Sequence, residues 1–450
     1  MAWRNKPLMK PKMLFATLLT LGLVTAGYSQ TLDKAKLDQL FDRLLEKNKG
    51  MGSLVLAKDG NILYNRSFGY GLVNGTEKKP LTAATKYRIA SITKMFTTVM
   101  ILQLVEEGKL KPTDTLDKFS PQIPNANRIT IAQILMHRSG IHDLEADGSW
   151  GMQPRTREEV VARIAQGKPD FEPDTKHGYS NAAYILLGYV VEKAGGKPYA
   201  EALRERITAK IGLKDTYAGT GTSDPNKNEA LSYRYIGGWR EAAEVHFSVL
   251  GGAGSIVSTP ADIAKFIQAL FDLKLVSQAS LNQMKTVRDG DGMGMEPFIF
   301  AGRTLYGHTG GSGSSGAWLA YDPEEKLALA YTTNAKIYAV GEIVTGVFEI
   351  YWNRPFQIPA LNAFEVSPEV LDRYLGVYTI AGTPARMTVT RDGGTLYIQA
   401  GTAPGRGVAL EATAEDKFKL DPGAVFEFDV AKGQLTIKRA NGERVFTKEK

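Results

Sequence analysis

The sequence predicts a mixed α/β domain whose sheet draws strands from both of its ends, followed by a small all-β domain. Three observations carry this. Strand-like runs at 53–58 and 62–68 near the start are matched by others at 298–305, 317–321 and 327–333. Between them the apolar residues recur at helical spacing. Beyond a proline-containing stretch at 353–368 the period shortens to alternating segments cut by Asp392-Gly393, Asp421-Pro422-Gly423, Lys432-Gly433 and Asn441-Gly442, the turn pattern of an all-β meander or barrel. With 450 residues the chain is long enough for such a division and for a large core.

Taken in order, the chain opens on Arg4, Lys6, Lys10 and Lys12, then an apolar run at 13–24 and small residues near Ala26 and Gly27. That is the layout of a secretory signal peptide, and the run is shorter than the ~20 apolar residues of a membrane span. The expected divisions are 1–30 signal peptide, 31–360 principal domain and 361–450 β-domain, with a secreted or periplasmic product and no stable membrane span after processing. Removing the four positive charges of the leader from the formal +7 leaves +3. Scattered basic residues at that charge give no reason to expect nucleic acid. The chain has no cysteine, which excludes disulfides and thiol chemistry. Its five histidines form no H-x-x-x-H pair, so neither metal nor cofactor is expected. His137 and His142 read as structural or surface residues.

Residues 32–47 predict an amphipathic helix with Leu37, Leu40, Phe41 and Leu44 on one face. Asp59-Gly60 joins the first two strands as a hairpin. Residues 92–105 are apolar all round, the mark of a buried helix. Thr130 caps a short helix at 131–137, and Thr259-Pro260-Ala261-Asp262 opens another. A helix at 182–194 is closed by Gly195-Gly196. The stretch 306–316 is rich in glycine and serine, and 344–352 predicts the last helix of this domain.

The chemistry centres on Ser91-Ile92-Thr93-Lys94. Ser91 and Lys94 are three residues apart, so their side chains share one face of the helix. Lysine is almost never buried without partners, and burial and the helix dipole both lower its pKa. A neutral amine beside a hydroxyl is a base beside a nucleophile. The plainer reading is a serine N-cap with a snorkelling lysine.

Three elements then stand in order: Ser91-Ile92-Thr93-Lys94, Tyr179-Ser180-Asn181 and His308-Thr309-Gly310. With the flanks at 135–140, 179–188, 258–260 and 307–311, the chain resembles the serine β-lactamase/penicillin-binding superfamily. Its Tyr-x-Asn element is that of the class C β-lactamase and D-alanyl-D-alanine carboxypeptidase branch. The resemblance covers roughly 40–350. It implies a β-lactamase/transpeptidase-like fold: an antiparallel sheet flanked by helices, with an all-helical subdomain. The C-terminal domain resembles the lipocalin-like domains appended to some members.

The resemblance implies roles as well. Ser91 attacks a carbonyl and forms an acyl-enzyme, Lys94 takes its proton, and Tyr179 bonds to Ser91 and shuttles protons. Asn181 binds Lys94 and a substrate amide. His308, Thr309 and Gly310 lie on an edge strand beside the substrate, and the N–H groups of Ser91 and Gly311 form the oxyanion hole. His308 replaces the lysine usual in class C enzymes, and a mostly neutral histidine argues against efficient β-lactam turnover. The implied substrates are small molecules or peptides: D-amino-acid peptides, peptidoglycan fragments, β-lactams or simple esters. Two alternatives compete. One is a receptor that acylates without turning over. The other is an α/β-hydrolase elbow at Ser180, which lacks the buried strand that must precede it.

Overall fold

The computed structural model describes residues 32–450 except 145–149, 236, 360, 362–365, 393–394, 402–406, 421–422, 440–441 and 450. The expected signal peptide lies outside the described residues. Among those described, no helix is long and apolar enough to cross a membrane.

The first helix, α1 (Lys34–Glu46), is capped by Asp33, whose side chain accepts from the Lys36 N–H. It leads into β1 (Gly50–Lys58) and β2 (Asn61–Phe68), joined at Asp59-Gly60, both with positive φ. The buried helix is α2 (Thr93–Glu106), and α3 (Asn181–Gly195) ends on Gly196 at φ +70. Next come α4 (Phe247–Gly254) and α5 (Pro260–Phe271), the latter capped by Thr259. The chain then returns to the sheet through β3 (Glu296–Phe300), β4 (Arg303–Ser312), β5 (Ser315–Asp322) and β6 (Leu327–Lys336), and closes with α6 (Val340–Tyr351).

The sheet order is β3-β4-β5-β6-β1-β2, antiparallel throughout, so the two ends of the domain meet where β6 pairs with β1. Alternation along each strand serves two cores. Leu54 and Leu56 face α1 and α6 with Leu329 and Tyr331. Val55, Ala57, Ala328 and Ala330 face the opposite side, where α2, α3 and α5 share one apolar cluster with the short helices Ile131–Leu135 and Arg157–Ala165. Residues 93–104 of α2 are buried on every side, as an all-round apolar helix requires.

One expectation changes. The run 298–305 is not one strand: Ala301 and Gly302, both at positive φ, turn β3 into β4. The glycine-rich stretch 306–316 is mostly strand, and only Gly313 has a positive φ there. Gly307 lies so close to β5 that a Cβ would sit 1.8 Å from the Leu319 carbonyl oxygen. Glycine serves close approach at that point, not a turn.

Among the described residues the C-terminal sheet has nine strands, from Gly376–Thr379 to Gly442–Lys448, and these first and last strands pair. Its two outer strands, Val408–Ala409 and Glu411–Ala414, are separated in sequence by Leu410 alone. The sheet therefore curls into a nearly closed up-and-down barrel around Tyr374, Tyr378, Phe418, Phe426, Phe428 and Phe446. The stretch before it is not all linker. Phe356 and Ile358 pack on the α6 core and Leu361 is buried in it. Lys49, at the start of β1, forms a 2.8 Å ion pair with Glu411 of the barrel.

Candidate active site

A single turn of 3-10 helix, Ala90–Ile92, feeds Ser91 into α2. Ala90 has φ +46, a strained conformation for a residue with a side chain. Ser91 is half-buried, and Lys94 is completely buried one turn on. The Lys94 Nζ lies 3.0 Å from Ser91 Oγ, 2.7 Å from Asn181 Oδ1 and 3.1 Å from the Ala253 carbonyl oxygen. Loss of water brings the Lys94 pKa down to about 7, against the opposing fields of Asp143 and Glu296.

Asn181 owes its orientation to a residue that sequence reasoning missed. The Asp143 carboxylate accepts the N–H of Asn181 at 2.6 Å and of Ala182 at 3.0 Å, satisfying two free donors at the start of α3. Its other oxygen accepts from Asn181 Nδ2 at 3.0 Å. The carboxamide is thereby held with Oδ1 toward Lys94. One N–H of the amide remains beyond the bond to Asp143. Ser180 is the N-cap of α3: it is 1% exposed and accepts from the Ala183 N–H at 3.2 Å. A buried cap in this position cannot present a nucleophile.

Tyr179 lies over the pair, with Lys94 Nζ 4.8 Å from its ring centroid. Desolvation raises the phenol pKa, and the neighbouring Ser91 hydroxyl partly opposes this. Beneath it, His137 stacks on the ring at 4.3 Å. His137 also ties down the backbone on both sides of Tyr179. Its carbonyl accepts the Gly178 N–H at 2.8 Å, and its Nδ1 accepts the Ser180 N–H at 3.1 Å. Burial holds its imidazole neutral, with a pKa well below the ordinary value. His137 is thus structural, as expected, but it is a structural residue of this site. His142 is on the surface, 2.7 Å from Asp170.

The third element runs along β4. The β3 ladder ends at the pair Glu296–Gly307, so 308–312 has no ladder partner on that side. This half is the edge that the resemblance implies; 303–307 is not. Gly310 passes so near the chain entering Ser91 that a Cβ would sit 2.4 Å from the Ile89 carbonyl oxygen. Gly311 follows, exposed, opposite Gly316 of β5. His308 is buried and donates from Nδ1 to the Thr309 carbonyl at 2.6 Å. Burial lowers its pKa, although Glu296 opposes that. It therefore offers the cleft no fixed cation. Glu296, also missed from sequence, accepts the Thr309 N–H at 3.1 Å and the Thr309 hydroxyl at 3.2 Å. Ser91, Lys94 and Asn181 thus form one bonded cluster beneath the Tyr179 ring, and β4 brings 308–311 alongside it.

The antiparallel sheet and its helical layers are those of the β-lactamase-like folds. A sequence model of the Beta-lactamase family matches residues 37–343, and the chain belongs to that family. Penicillin-binding protein 4* of Bacillus subtilis is 29% identical over 397 residues, which cover 81% of this chain and 86% of that protein. The D-alanyl-D-alanine-carboxypeptidase/endopeptidase AmpH of Escherichia coli is 25% identical over 394 residues, 78% of this chain and 100% of its own. Among solved structures, the D-amino acid amidase from Ochrobactrum anthropi SV3, in complex with D-phenylalanine, matches with a TM-score of 0.64. It is 28% identical and covers 71% of this chain and 99% of its own.

Proposed function

We propose that this protein is a serine hydrolase that is acylated on Ser91 and hydrolyses amide bonds of small D-amino-acid-containing compounds. The observation that carries this is the placement of the fully buried Lys94 Nζ 3.0 Å from Ser91 Oγ. A neutral amine has two hydrogens and one lone pair. Asn181 Oδ1 and the Ala253 carbonyl supply two acceptors, which leaves the lone pair for the Ser91 hydroxyl at 3.0 Å. A pKa of about 7 keeps much of the amine in that state at neutral pH.

In the proposed reaction, Ser91 Oγ adds to the substrate carbonyl as its proton passes to Lys94 Nζ. The N–H groups of Ser91 and Gly311 receive the oxyanion. The proton then moves by way of the Tyr179 hydroxyl to the departing amine, and the C–N bond breaks. Water repeats the sequence on the acyl-enzyme: its proton goes to the Tyr179–Lys94 unit and returns to Ser91 as the acid leaves. Lys94 and Tyr179 act as one coupled base, so the pH dependence belongs to the pair. The carboxypeptidase and amidase names among the relatives support amide substrates. Export to the cell envelope belongs to the same proposal and rests on residues 1–30; an intact Met1 on protein from the envelope fraction would oppose it.

The test is to treat the protein with a fluorescent penicillin and, separately, with D-alanine p-nitroanilide, and to map the adduct by mass spectrometry. An adduct on Ser91 with continuing release of nitroaniline supports the proposal. An adduct elsewhere overturns it, and a single burst without turnover replaces hydrolysis by simple acylation.

A further inference from the structure

The end of the cleft lined by β4 carries a carboxylate where the resemblance to class C enzymes implies a cation. Glu296 stands at the last rung of the β3–β4 ladder, and its side chain folds onto the open edge beyond. There it accepts both the N–H and the hydroxyl of Thr309. It is half-buried, and its field reaches the cleft's own groups, since it acts on Lys94, Tyr179 and His308. His308 cannot cancel it. Its Nδ1–H is committed to the Thr309 carbonyl and lies 3.5 Å from Glu296 Oε1, beyond a good hydrogen bond. A carboxylate has about four acceptor positions, and Thr309 occupies only part of them.

We infer that Glu296 is a specificity-determining residue that selects acyl donors bearing a primary ammonium group and turns away those bearing a carboxylate. An ammonium presents three donors and a full positive charge to an acid that is poorly hydrated on one side. That is the setting in which charge-assisted hydrogen bonds are strong. A substrate carboxylate in the same place meets like charge and displaces no cation. This inference rests on the acyl-enzyme reading above and names the substrate class of that site.

The experiment compares four p-nitroanilides on the full-length protein. D-alanine p-nitroanilide carries an α-ammonium and N-acetyl-D-lysine p-nitroanilide a side-chain ammonium. N-acetyl-D-alanine p-nitroanilide is neutral, and the N-succinyl compound carries a carboxylate. Each is measured as a substrate and as a competitor of Ser91 labelling by a neutral activated ester, so slow turnover does not hide a preference. The better ammonium compound is expected to exceed the succinyl compound by at least about tenfold in kcat/KM, with most of the difference in KM. Which ammonium compound is better locates the amine. In Glu296→Gln, which keeps the acceptor for Thr309, that ratio is expected to fall to within about threefold. Glu296→Ala serves as a second variant, with the thermal midpoint of each as a folding control. A ratio unchanged in both variants, or a wild type that prefers the succinyl compound, overturns the inference. If Ser91 takes no label at all, the acyl-enzyme reading fails separately, and calorimetric binding of the four compounds still reads the charge preference.

Discussion

Replacing Lys94 with methionine keeps the length of the side chain and removes its amine, and the structure fixes how stability should respond to pH. The folded chain holds this amine near pKa 7 against an ordinary 10.5. Burying it costs about 5 kcal/mol where both the folded and the unfolded chain hold the proton, taking 1.36 kcal/mol per pKa unit. The sign follows from the proton count. Between pH 7 and 10.5 the unfolded chain carries a proton that the folded chain has shed, so stability rises with pH by about 1.4 kcal/mol per pH unit. Below 7 the full penalty applies, and above 10.5 it is gone. Lys94→Met lacks this slope. Its stability relative to wild type should therefore fall by about 2 kcal/mol between pH 7 and 9. The methionine also leaves Asn181 Oδ1 and the Ala253 carbonyl without their donor, a loss of about 1–3 kcal/mol each that does not vary with pH. The slope, not the absolute difference, is thus the diagnostic quantity. Paired urea unfolding curves at pH 7, 8 and 9 measure it. Parallel stability profiles for the two proteins would show that the amine stays charged in the fold, and the proposed base would be lost. The same amine predicts that wild-type acylation rises with pH up to about 7 and levels off above it.

Other outcomes follow from the same contacts. Ser91→Ala should lose turnover by several orders of magnitude, whereas Ser180→Ala should keep most of it and lose only about 1 kcal/mol of stability with its cap to the Ala183 N–H, read by kinetics and thermal unfolding. Asp143→Asn removes a charge that raises the Lys94 pKa, so the rising limb of the pH–rate profile should move below 7. Disordering the Asn181 carboxamide should lower kcat as well, and an unmoved limb would refute the electrostatic part. A chain ending at Leu361 should stay soluble and folded, while one ending at Asn353 should not, because Phe356, Ile358 and Leu361 belong to the α6 core; circular dichroism and gel filtration distinguish the two.

What the sequence made legible was whatever depends on neighbours a turn or a hairpin away. Ser91 and Lys94 fall together because three residues of helix put them on one face. The caps at Thr130 and Thr259 and the Asp59-Gly60 turn are local in the same way. Tyr179, Asn181 and His308 carry no such signal and were found only through the order of three motifs. Asp143 was not found at all. It acts 38 residues from Asn181, through loop backbone that has no periodicity to read. The glycines of 306–316 were uninformative for a physical reason. Glycine marks both a turn and a place where two backbones nearly touch, and at Gly307 and Gly310 it is the second. Glu296 was hidden by the misreading of a single strand. Reading 298–305 as one strand erases the turn at Ala301-Gly302, and with it the fact that β3 doubles back along β4 and stops at Gly307. Only once that strand is seen to end does its terminal carboxylate fall on Thr309, on the open edge where the substrate is proposed to lie.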